Sequence, residues 1–146
     1  MDKDKTSTST AIPTKKARCY LVYALAPDGL KAKEANRIIN EMTADAGLPL
    51  ALWHDHFIGQ AGGTIIFYVE KQEEQTALFE NQHLQGWQVD YRPLVFSFSP
   101  SAFDAQVGYT LKNYRDTDWE TLRNSERPNY GERDLSQEAE SGVEQA

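Results

Sequence analysis

The chain has 146 residues, 40% of them hydrophobic and 11% aromatic, and a net charge of −7. That length fits one domain with a hydrophobic core of its own, while the acidic balance excludes general nucleic-acid binding, which relies on Lys and Arg to neutralise phosphates. A single cysteine, Cys19, rules out an intrachain disulfide and a cysteine-based zinc site. No run of about 18 apolar residues is present to span a bilayer.

Residues 1–16 are Ser/Thr-rich and close on Lys15 and Lys16, a composition expected of a disordered leader. They lack the apolar stretch of a secretory signal, so a soluble cytoplasmic protein is expected. Residues 131–146 form an acidic tail: from 132 onward five acids stand against one arginine, again the pattern of a solvated segment. The folded domain is expected over 17–130.

Within it, RCYLVYAL (18–25) reads as a strand ended by the turn signal Pro27-Asp28-Gly29. In KAKEANRIINEMTADAG (31–47), Ala35, Ile38, Ile39, Met42 and Ala46 recur at helical spacing, opposite Lys33, Glu34, Arg37 and Glu41. Two apolar runs joined by Gly59-Gln60-Ala61-Gly62-Gly63 predict a β-hairpin over 51–70. QEEQTALFENQ (72–82) predicts a short helix with acids favourably near its start. GWQVDYRPLVFSFS (86–99) predicts a long strand, placed at an edge by Pro93.

The order β-α-β-β-α-β is that of a ferredoxin-like α+β fold, an antiparallel sheet with helices on one face. Beyond it, Phe103, Val107 and Leu111 recur every four residues and predict a C-terminal helical arm. Thr117 and Glu120 carry capping-box spacing for a second short helix.

If the five residues 59–63 are the turn, Ile58 lies opposite Thr64, His56 opposite Ile66 and His54 opposite Tyr68. Side chains alternate across a sheet, so Leu52, His54, His56, Ile58, Ile66 and Tyr68 would share the open face. Trp53, Asp55 and Phe57 would then face the core, with Asp55 in need of a donor or of the sheet margin. A bulge at the glycines would reverse this assignment.

Histidine titrates near neutrality, which makes His54 and His56, with Tyr68, the candidate acid/base residues. His-x-His is also a metal-chelating spacing. The positions where a cupin-like motif has its glutamate hold Gln60 and Ala61, however, and a third ligand would have to be His83, Glu70 or a residue of another strand. The expectation is therefore no metal and no cofactor, with the pair satisfied by Tyr68, backbone or water. Cys19 is expected to pack as a small hydrophobe. GQAGG joins two strands and opens no helix, so the dinucleotide and P-loop readings fall away.

An open face holding Leu52, Ile58, Ile66 and Tyr68 is too apolar to leave in water. With the element order, this pattern resembles the dimeric α/β-barrel superfamily, whose ferredoxin-like subunits pack sheet against sheet, over about residues 17–99. The resemblance implies a homodimer and a small-molecule ligand held in a cavity on the open sheet face. Because that superfamily includes cofactor-free oxygenases, small-ring isomerases and haem-handling enzymes, it implies as an alternative an oxygenase- or isomerase-like enzyme using His54 or His56 as acid/base.

Overall fold

Period-two burial sets the sheet. In the computed structural model, which describes residues 17–124, β1 (Arg18–Leu25) buries Tyr20, Val22 and Ala24 on one face. β3 (Gly62–Val69) lies antiparallel beside it, so that Phe67 and Ile65 stand opposite Tyr20 and Val22. β2 (Leu50–His56) pairs with the outer side of β3, and β4 (Gln88–Pro93) with the other side of β1. The open sheet runs β2-β3-β1-β4, antiparallel at every step. The expected leader (1–16) and acidic tail (131–146), and the end of the expected domain, lie outside the described residues.

Two helices cover one face. α1 (Ala32–Thr43) drives Ala35, Ile39 and Met42 into the core, as their spacing predicts, and keeps Arg37 outside, ion-paired to Glu34 and Glu41. It ends before Ala46, which is exposed. α2 (Gln72–Phe79) starts where the Glu74 carboxylate accepts the backbone N–H groups of Glu70 and Lys71, satisfying donors that a helix start leaves free. Its Leu78 joins Ile39, Met42, Tyr20, Val22, Ile65 and Phe67 in one cluster. The result is an α+β domain with an open four-stranded antiparallel sheet, compatible with the ferredoxin-like expectation.

The strand expected over 86–99 pairs only from Gln88 to Pro93. Pro93 sits on an edge strand, where its missing N–H is tolerated. Beyond it the chain arches: Leu94 N–H donates to the Cys19 carbonyl, and Cys19 N–H donates to that of Ser97. Cys19 is fully buried there, and burial pushes its thiol pKa up, so it is an inert packing residue.

The arm is helical, but with different starts. α3 (Pro100–Arg115) is capped by Ser99, whose Oγ accepts the Ala102 N–H, with Pro100 in the first turn. α4 (Trp119–Arg123) is capped by Asp118, not by Thr117 as the spacing suggested: an Asp118 carboxylate oxygen accepts the Thr121 N–H. A carboxylate accepts more strongly than a hydroxyl, which decides between the neighbours. Neither helix buries a residue completely. Among the described residues no helix is long and apolar enough to cross a membrane.

Candidate functional site

The hairpin turn is tighter than the glycines suggested, and this reverses the expected faces. Phe57 N–H donates to the Gly62 carbonyl, so Gly62 and Gly63 are strand residues and His56 pairs with Gly63. His54 then pairs with Ile65, a core residue, and both histidines lie on the helix-covered side rather than the open face. Asp55 and Trp53 move to the open face, opposite Thr64 and Ile66. Trp53 is 46% exposed, and Asp55 is exposed and accepts the His56 N–H. Asp55 therefore needs no buried donor. Further down the hairpin, Leu52 is an extra residue between the Ala51 and Trp53 pairings, a bulge that restores the opposite parity at Ala51 and Leu50.

On the helix side the histidines meet Asn40 of α1. His54 Nε2 lies 3.1 Å and His56 Nε2 3.2 Å from the same atom, Asn40 Oδ1. An amide oxygen only accepts, so both imidazoles carry their proton on Nε2. Their rings stand nearly perpendicular, at 82°, with centroids 5.6 Å apart. His54 is exposed and His56 half-buried. Burial first, and then the neighbouring His54, hold the His56 pKa below the usual histidine value, with Asp55 opposing them. His56 Nδ1 is buried without a partner, and so are both amide atoms of Asn36, one helical turn before Asn40.

Tyr68 is not part of this group. It occupies the open face, paired with Cys19 and Leu50, and its hydroxyl donates to Glu70. Desolvation and the Glu70 carboxylate raise its pKa, so it stays protonated. The structure thus brings His54 and His56 together and leaves Tyr68 on the other side of the sheet. The partner expected to be Tyr68, backbone or water is Asn40, 14 and 16 residues back in the chain.

The third histidine has its own partner. His83 Nε2 lies 2.8 Å from Asp45 Oδ2, joining the loops after α2 and α1, while Asp45 Oδ1 accepts the Gly47 N–H. The His83 bond, then the Gly47 N–H, hold the Asp45 carboxyl below the usual carboxylate range. A depressed folded-state pKa contributes stability that is present above the unfolded value of ~3.9 and lost as pH falls through the folded one. Melting temperatures of the wild type and Asp45→Asn should therefore differ near about pH 5, above the unfolded value, and draw together as the pH falls through the depressed folded-state value. A gap that persists unchanged in acid would remove the carboxylate from the account.

A separate cavity of about 460 Å³ opens beside the start of β1, walled by Ala17, Arg18, Val95 and Phe98. Arg18 reaches across the arch after β4, its Nη1 donating to the carbonyls of Leu94 (2.9 Å) and Val95 (3.2 Å). Its Nε is buried without an acceptor. No residue pattern marks this site, because the arch that builds it follows a strand shorter than its apolar run. Two other cavities lie at Gly29–Arg37 and between α3 and α4, and none of the three is lined by His54, His56 or Tyr68. Among the described residues no group of three His, Cys, Asp or Glu side chains is placed to hold a metal ion. Compared with protein-family models, with curated proteins and with solved structures, the chain matches none.

Proposed function

We propose that this chain is a ferredoxin-like domain that works as a homodimer and binds a small amphipathic anion, anchored by Arg18. The supporting observation is the Arg18 guanidinium itself. It is a permanent charge whose hydrogen-bond partners among the described residues are two neutral carbonyls, and the described residues that share the cavity wall with it are alanine, valine and phenylalanine. Two neutral carbonyls leave the guanidinium charge uncompensated, and a charge-assisted bond to a ligand carboxylate would balance it. The apolar wall suits the rest of such a ligand.

The dimer reading rests on exposed apolar surface. Val95, Phe96 and Phe98 are 71%, 64% and 54% exposed in one short run, and Tyr23 and Trp53 add to the open face. Val95 and Phe98 also wall the cavity, so a second chain seated there would close over the ligand. Acid/base catalysis by His54 or His56 is the second reading. It is favoured by a His56 held neutral, and weakened by the engagement of both Nε2 atoms with Asn40.

Amide chemical-shift titration with 4-phenylbutyrate and with its alcohol, 4-phenylbutanol, tests the ligand. The acid should bind about tenfold tighter or more, and Arg18→Met should remove that preference. Equal affinity for acid and alcohol in the wild type would sink the proposal. Light scattering should give twice the 16.5 kDa chain mass, and a monomer at every concentration would sink the dimer.

A further inference from the structure

Two imidazoles bound to one zinc through Nε2 bonds of ~2.0–2.1 Å, at a near-tetrahedral angle, place their ring centroids about 5–5.5 Å apart. His54 and His56 already stand at 5.6 Å, with both Nε2 atoms aimed at a single point now occupied by Asn40 Oδ1. We propose that His54, His56 and Asn40 form a binding site for a divalent transition cation of the zinc, cobalt or nickel kind. This site is independent of the Arg18 cavity.

Three features carry it. The first is convergence, since both Nε2 atoms approach one point, from 3.1 and 3.2 Å, and each closes by about 1 Å to reach a metal–nitrogen bond. The second is ligand chemistry: two imidazole nitrogens and one amide oxygen suit borderline-soft ions, whereas calcium and magnesium call for a set of oxygens. The third is access, because β2 is an edge strand and His54 is exposed, so water can complete the coordination and the ion can enter.

The proton count is simple. Each neutral imidazole moves its proton from Nε2 to Nδ1, the Nε2 lone pair takes the metal, and no net proton is released. The Nδ1–H of His56 then needs an acceptor, as metal-bound imidazoles generally do. Asn36 lies on the same face of α1 as Asn40, is buried, and has an amide oxygen with no partner. It is an acceptor of the required kind.

Calorimetric titration of the untagged full chain with zinc, and absorption titration with cobalt, should each give one ion per chain. His54→Ala should weaken zinc binding by about tenfold or more, and Asn40→Asp should tighten it by supplying a charged oxygen. His83→Ala should leave it unchanged. Because His56 is half-buried, His54→Ala at its exposed position is the deciding variant, with a melting curve as its folding control. In proton spectra the His54 and His56 ring signals should move with zinc while those of His83 stay. Absence of saturable binding, or binding that survives His54→Ala undiminished in a folded protein, overturns the proposal.

Discussion

Phe67→Ala is expected to lower the unfolding free energy by about 3–5 kcal/mol. Phe67 has no exposed surface and sits on the central pair of strands, opposite Tyr20 on β1 and Ala51 on β2. Its ring belongs to the cluster in which Ile39 and Met42 of α1 meet Leu78 of α2, so truncation opens a void where both helices meet the sheet. Those neighbours are held by their own elements and collapse only partly, which adds a cavity term to the lost transfer energy. Set against a total stability of about 5–15 kcal/mol for a domain of this kind, the loss is severe. Urea unfolding measures it. A loss under about 1 kcal/mol would mean that the two-helix cluster is not what holds the sheet.

Gly63→Ala is expected to destabilise by about 1–3 kcal/mol or more and to disturb the histidine pair along with the fold. A methyl group at Gly63 would lie 2.3 Å from the Asp55 carbonyl oxygen and 2.9 Å from Ile39 Cδ1. The first of these is backbone of the paired strand and cannot swing away. Either the β2–β3 pairing parts at His56 or α1 lifts from the sheet, and both movements pull Asn40 from the imidazoles. Gly108→Ala supplies the opposite sign. Its added methyl meets only Trp119, at an ordinary 3.8 Å, within α3, so the usual preference for alanine over glycine in a helix should stabilise by up to about 1 kcal/mol. Paired melts of the two variants test the account. Equal effects, or a Gly63→Ala protein with unshifted His54 and His56 ring signals, would contradict it.

What could be read in advance was whatever depends on local repetition. The alternation in RCYLVYAL and the three-to-four spacing of Ala35, Ile39 and Met42 specify their elements without reference to the rest of the chain. The hairpin was legible as a hairpin, but its faces were not. Two consecutive glycines fit a turn and a tightly approached strand equally well, and the choice is made by the carbonyls of Ala24 and Asp55, which leave no room for a Cβ at Gly62 or Gly63. A register shift of three residues, an odd number, then moved His54, His56 and Asp55 across the sheet together.

The side-chain partners were further out of reach. Asn40 reads as an ordinary polar helix residue until β2 is laid beside it, and Asp45 meets His83 across 38 residues. Arg18 reads as the first residue of a strand, and its role depends on an arch of backbone carbonyls that no side-chain pattern encodes.

The bulge at Leu52 also bears on how copies of this chain can meet. A regular edge strand offers an unbroken row of amide donors and acceptors to any strand that comes alongside, the geometry from which sheets extend from molecule to molecule. Here the outermost strand breaks that row between Ala51 and Trp53 and twists out of register with a straight partner. Growth of a continuous intermolecular sheet through β2 is thereby discouraged. Any contact made through this edge is left to side chains rather than to a backbone ladder.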